Sequence, residues 1–147
     1  MSHPAQTDLL HTVLQLLTTQ GSSSLAEGLR LLLNEAMVQE RSAVLQAQPY
    51  ERCEGRLGSA NGFKPKTLNT RVGAVQLRIP QVRDGINFYP SALEKGVRSE
   101  QALMLAMAEM YVQGVSTRKV SAIVEELCGT TVSSTQVSAC GRARIFL

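Results

Sequence analysis

Thr135, Gln136 and Ser138 gather three small, uncharged, hydrogen-bonding side chains near the end of the chain. Groups of this kind bond to the edges of a partner molecule. A glutamine amide can meet an adenine edge with two bonds at once, worth about 1–3 kcal/mol of discrimination against another base. A second set is cationic. Arg118 and Lys119 are adjacent, and Arg56, Lys64, Lys66, Arg71, Arg78 and Arg83 occupy a stretch with no acidic residue between its ends. Cations without counter-charges nearby suit phosphate contacts, which position a protein on a duplex without reading its sequence. Other reactive types offer less. Cys53, Cys128 and Cys140 are odd in number and form no C-x-x-C pair, so neither a disulfide framework nor a zinc site is indicated. His3 and His11 stand far from every cysteine. No catalytic residue and no metal ligand is expected.

A helix must present the polar trio, and the surrounding residues supply one. Ser116 is a good N-cap, and Val120, Ile123, Val124 and Leu127 behind it follow a 3.6-residue period that predicts one inward stripe. Gly129 supplies the left-handed residue that ends a helix. Ser133 caps the next helix, with Val132 and Val137 placed as a hydrophobic staple. With Val137 and Cys140 inward, Thr135, Gln136, Ser138 and Ala139 face out. Helix, turn and helix in this order is the plan of a major-groove reader.

The remaining elements form a scaffold. Residues 1–23 read as an N-terminal helix and linker. Residues 24–49 read as a long helix, opened by a Ser24–Glu27 capping box, striped by Leu25, Leu29, Leu32, Leu33, Ala36 and Met37, and running to about Gln48. Self-association through this helix is one expectation. Residues 50–95 form a basic loop and β-hairpin: Asn61-Gly62 marks a turn, Leu68 to Val72 and Val75 to Ile79 alternate about Gly73, and Pro80 closes the pair. In residues 96–147, Ser99 caps a helix that is apolar nearly all round from Gln101 to Ala108 and so should be a buried spine. The fold expected is mainly α with one β-hairpin, an α+β class ending in a helix-turn-helix. Net charge is +3, but residues 1–51 carry −3 and residues 52–147 carry +6, which favours a polyanionic partner for the later part. No apolar run is long enough to span a bilayer, so no membrane partner is expected.

Several ordered segments carry a resemblance: NGFKPKT (Asn61 to Thr67), TRVGAV (Thr70 to Val75), RIPQVRDG (Arg78 to Gly85), Phe88-Tyr89-Pro90, EMYVQGVSTR (Glu109 to Arg118) and EELCG (Glu125 to Gly129). From about Ser24 to Ser138 the chain resembles the N-terminal region of Mutator-type bacterial insertion-sequence transposases. The resemblance implies recognition of terminal inverted repeats, followed in the family by an RNase H-like domain with an Asp-Asp-Glu metal triad and Mg²⁺. It also implies a bacterial, cytoplasmic, nucleoid-associated protein whose partner is the double-stranded DNA of the element ends.

Here Gly141 to Leu147 (GRARIFL) departs from the family pattern, and the aspartates are Asp8 and Asp84 alone, whereas two-metal phosphoryl transfer needs converging carboxylates. The expectation is therefore a truncated transposase that binds DNA specifically but has no activity and no cofactor of its own. Its last helix should span only about Ser134 to Cys140 and should fray. The alternatives are an interaction module that pairs with full-length transposase through the 24–48 helix, and a helix-turn-helix transcriptional regulator.

Overall fold

The computed structural model describes residues 4–84 and 86–145. Its elements are α1 (Pro4–Gln20), a 3₁₀ turn (Gly21–Ser24), α2 (Leu25–Leu45), β1 (Ser59–Thr70), β2 (Gly73–Arg83), α3 (Gln101–Val112), α4 (Thr117–Cys128) and α5 (Ser134–Ile145). The protein is thus mainly α with one β-hairpin. It divides into two compact units, one made of residues 1–66 and 76–96, the other of residues 67–75 and 97–147.

In the first unit α1 packs on α2, with Val13 buried and its Cγ1 3.6 Å from where a Cβ on Gly28 would sit. The inward positions of α2 are Gly28, Met37, Arg41, Ser42 and Leu45. The expected stripe is only partly the packed face: Met37 is buried and Leu29 and Leu33 are half-buried, whereas Leu25, Leu32 and Ala36 are exposed. Ser24 makes no capping box. It is buried, and its hydroxyl donates to the carbonyls of Leu16 and Gly21, while Glu27 pairs with Arg30. The helix also stops earlier than Pro49 requires. Gln46 turns left-handed (φ 54°), and the Leu45 carbonyl accepts from the Leu57 amide at 3.0 Å.

The hairpin is longer than its alternation predicts. Asn61-Gly62 lies inside β1, where Gly62 at φ +69° bends the strand without reversing it, and Pro80 lies inside β2. A two-stranded sheet leaves both strands with an open edge, so a proline can sit where no ladder bond is required. Val75, Leu77 and Ile79 are buried while Ala74, Gln76 and Arg78 are exposed, which is the period-2 pattern of a half-buried strand. The reversal itself takes two residues, Arg71 and Val72. Thr70 closes it, its hydroxyl donating to the Gly73 carbonyl at 2.7 Å.

In the second unit α3, α4 and α5 enclose a core of Leu103, Met107, Val120, Val124, Val132 and Val137. α3 is not buried all round: Leu105, Ala106 and Val112 are exposed. Nor does Ser99 cap it. Ser99 is buried and bridges to Asn69, and Glu100 takes the N-cap position. Ser116 does cap α4, its hydroxyl accepting from the Lys119 amide, and Gly129 (φ +66°) ends it as expected. The inward stripe, however, runs through Val120, Val124 and Cys128, leaving Leu127 78% exposed. Position 127 lies seven residues from Val120 and so at nearly the same angle, but in this last turn of α4 it is Cys128, and not Leu127, that packs against the core.

α5 continues through the tail to Ile145 and does not end near Cys140. The reason is steric as well as helical. Gly141 is buried, and a Cβ there would stand 2.0 Å from Cδ1 and 2.4 Å from Cγ of Tyr111, so glycine lets α5 lie directly against that ring. Alanine is worth about 1 kcal/mol over glycine inside a helix, but overpacking costs about 1–3 kcal/mol. Gly141→Ala should therefore lower the urea midpoint. In a Tyr111→Leu background the same change should become neutral or stabilising. A raised midpoint in the otherwise unaltered protein would refute this packing.

Candidate nucleic-acid interface

α5 owes its orientation to its first turn. Val132 and Val137 are both buried, one on each side of the Ser133 cap. The cap is reciprocal: the Gln136 amide donates to Ser133 Oγ at 3.2 Å, and the Ser133 amide donates to Gln136 Oε1 at 3.0 Å. This S-x-x-Q capping box was readable in the sequence, and it changes the part Gln136 can play. Its side-chain carbonyl is engaged at home, so a two-bond contact to adenine would have to share or break the cap.

Of the three polar residues, Thr135 is exposed, while Gln136 and Ser138 are half-buried. With Ala139 and Arg142, both exposed, Thr135 and Ser138 occupy i, i+3, i+4 and i+7 of one helical face. Arg142 was missed by sequence reasoning because the helix was expected to fray before reaching it. The available signal was the spacing of Val137 and Gly141, two inward positions four apart.

Arg118 and Lys119 are exposed in the first turn of α4, which contains no acidic residue. The positive end of the helix dipole disfavours cations there by about 0.3–1 kcal/mol. Neither makes an ion pair among the described residues. Their charge is therefore available to a partner.

The hairpin cations differ from one another in a way that counting could not reveal. Arg56 is a brace, with Nε donating to the Gly58 carbonyl at 2.6 Å and Nη1 to the Glu51 carbonyl at 2.7 Å. Lys66 Nζ donates to Tyr89 Oη and to the Glu94 carbonyl, both at 3.2 Å. Arg71 pairs with Glu100 at 2.7 Å, and Arg83 lies 3.9 Å from Asp84. Arg78 is exposed, its guanidinium 4.4 Å from the centre of the Phe63 ring. Lys64 is exposed. Of the acidic partners, Asp84 directly follows the 56–83 window and Glu100 reaches it through folding, so the stretch is less uniformly cationic in space than in sequence.

The three cysteines stay apart in role. Cys53 is exposed, while burial pushes the Cys140 thiol up from its ordinary pKa, which suits a packing residue. Among the described residues no three His, Cys, Asp or Glu side chains gather as a metal site, and no helix is long and apolar enough to cross a membrane.

The sequence matches the family described as "Transposase, Mutator family" over residues 1–144. It is 51% identical over 140 residues to the transposase for insertion sequence element IS406 of Burkholderia multivorans (strain ATCC 17616 / 249), covering 94% of this chain and 36% of that protein. The transposase for insertion sequence element IS256 in transposon Tn4001 of Staphylococcus aureus is 49% identical over 110 residues, 75% of this chain and 28% of that one. The transposase for insertion sequence element IS1081 of Mycobacterium tuberculosis (strain ATCC 25618 / H37Rv) is 34% identical over 120 residues, 81% and 29% of the two chains. The chain spans about a third of the length of these curated relatives. The family match through residue 144 also corrects the view of the tail: Gly141 to Arg144 fall inside the family pattern.

The capping box gives a direct test. Gln136→Ala should reduce stability by about 1 kcal/mol, the net worth of one hydrogen bond, measured by urea denaturation, whereas Gln136→Glu should retain most of it. Equal stability of Gln136→Ala and the unaltered protein would return the side chain to a purely external role.

Proposed function

This chain belongs to the Mutator family of transposases, and we propose that it recognises the terminal inverted repeats of an insertion element as double-stranded DNA. One observation carries the reading: α5 sets Thr135, Ser138, Ala139 and Arg142 on one face, exposed except for the half-buried Ser138, while Val137 and Gly141 are buried. A helix so fixed can enter a major groove with small hydrogen-bonding groups near its start and an arginine two turns on. In this reading α4 and α5 act as a helix-turn-helix. Thr135 and Ser138 contact base edges, with Gln136 serving first as the cap that aims them.

Arg118 and Lys119 contact phosphate, as do Lys64 and Arg78. Lys66, Arg56, Arg71 and Arg83 are phosphate candidates of lower weight, since each already has a partner inside the fold. Recognition, and not strand cutting, is the role given to these residues; the Mg²⁺ chemistry of the family is assigned to none of them. The setting that follows is a bacterial cytoplasm, on the nucleoid.

A second reading has its own observation. Leu10, Leu14, Leu25 and Leu32 on α1 and α2 are 42–55% exposed, and leucines at that density on a helix pair suit pairing with another copy. Sedimentation across a concentration range separates the two, because self-association needs no DNA.

Two double variants test the leading reading on duplexes carrying an element end. Thr135→Ala with Ser138→Ala should compress the preference for the end over unrelated DNA by about tenfold or more, given ~1–3 kcal/mol per good base contact. Non-specific affinity should hardly change. Arg118→Ala with Lys119→Ala should weaken every duplex alike and flatten the salt slope by ~0.9 for each phosphate lost. If the first pair leaves site preference untouched, α5 is not the reading helix.

A further inference from the structure

The end of α2 and the connection after it border an open cleft of about 780 Å³ in the first unit, whose walls include Arg41, Tyr50, Arg52, Arg56 and Phe63. Arg41 is the unusual member. It is only 6% exposed, yet no carboxylate lies within ion-pair distance of it among the described residues. Its guanidinium donates one bond, from Nη1 to the Gly62 carbonyl at 3.3 Å, and sits 5.0 Å from the centre of the Phe63 ring. That ring also carries Arg78, so two cations draw on one quadrupole.

A buried cation without a counter-ion is costly and usually finds a partner. Burial first, and then the like charge of Arg56, hold Arg41 below the ordinary arginine range. No fully buried side-chain nitrogen or oxygen lacks a hydrogen bond among the described residues, so the donors Arg41 leaves unused face accessible space. Arg56 has committed two of its three nitrogens to backbone carbonyls, leaving Nη2. Arg52 is exposed. The carboxylate on the wall belongs to Glu51, and one of its oxygens is occupied by the Gln48 amide at 2.7 Å. Three guanidinium groups therefore border a cleft with one engaged carboxylate. Beside them Tyr50 is fully exposed on a left-handed backbone (φ 62°), a conformation that costs energy for any residue other than glycine.

We propose that this cleft is a phosphate-binding pocket, in which Arg41, Arg52 and the free edge of Arg56 hold the anion. Where the phosphate belongs to duplex DNA, Tyr50 packs on the deoxyribose beside it. The pocket itself does not depend on base reading by α5; its nucleic-acid source does rest on the DNA-binding reading above.

The competing role for Arg41 is structural, a buckle joining α2 to Gly62 and Phe63, and Arg41→Met separates the two. Without phosphate the methionine variant should melt no lower than the unaltered protein, because it replaces an unpaired buried charge with an apolar chain of similar length. Adding inorganic phosphate should raise the melting temperature of the unaltered protein by several degrees, rising with the logarithm of concentration, and leave Arg41→Met unmoved. A lower melting temperature for Arg41→Met, with phosphate shifting both proteins equally, would make Arg41 a buckle and overturn the pocket.

The source is decided by duplexes carrying an element end. Arg41→Met and Tyr50→Ala should each bind them about tenfold more weakly, Arg41→Met with a salt slope lower by ~0.9, and Tyr50→Ala should keep the response to inorganic phosphate. If both variants bind the duplexes normally while phosphate still discriminates Arg41→Met, the nucleic-acid source is refuted and free phosphate is the ligand. If the unaltered protein binds no duplex, the DNA reading fails and the phosphate titration alone judges the pocket.

Discussion

Thr130 is completely buried, and its hydroxyl donates to the Thr70 carbonyl at 3.1 Å across sixty residues of chain. That bond joins the connection between α4 and α5 to the tip of the hairpin. Around it the tip is pinned further: the Asn69 amide donates to the Arg98 carbonyl and the Glu100 amide to the Asn69 carbonyl, both at 2.8 Å. The Arg71 amide and Nε both reach one oxygen of Glu100. A two-stranded hairpin by itself is marginal in water. Here its turn is held in place by the helical unit, and the start of α3 and the approach to α5 are fixed by the same bonds. Each is worth only about 1 kcal/mol net, but breaking one side would leave a buried carbonyl unsatisfied at about 1–3 kcal/mol.

The charges divide by what they are already doing. Arg56, Lys66 and Arg71 complete hydrogen bonds to carbonyls or carboxylates that fold beside them, so they serve first as parts of the scaffold. Arg118, Lys119 and Arg142 project from helices that pack on their other faces. Arg41 belongs to neither group, being a buried cation with no ion-pair partner among the described residues. The distinction is functional because a cation already paired gives up little on meeting phosphate, whereas an unpaired one gains a counter-ion at full value.

Much of the second unit could be read directly from the residues. Ser116 and Gly129 punctuate α4 where a hydroxyl and a left-handed residue are needed, and Val132, Ser133 and Val137 start α5 as a stapled helix. Val75, Leu77 and Ile79 declare the half-buried strand by alternation alone. These are local rules with periods of two or four residues, and a sequence carries them in full.

What the sequence could not decide are outcomes of contact between distant residues. The close packing of α5 depended on Gly141 leaving room for the Tyr111 ring, thirty residues away in the chain. The inward stripe of α4 ran to Cys128 and left Leu127 in solvent, although the helical period alone puts Leu127 almost in line with the buried Val120. Ser24 and Ser99 have the composition of caps, yet tertiary neighbours claimed the first for the Leu16 carbonyl and the second for a bridge to Asn69. Glu100, outside the basic stretch, neutralises Arg71 within it. By itself the sequence determined which elements form and which family they belong to. Only the tertiary structure decided which polar groups remain free to meet a partner, since that depends on what each finds within about 3 Å after folding.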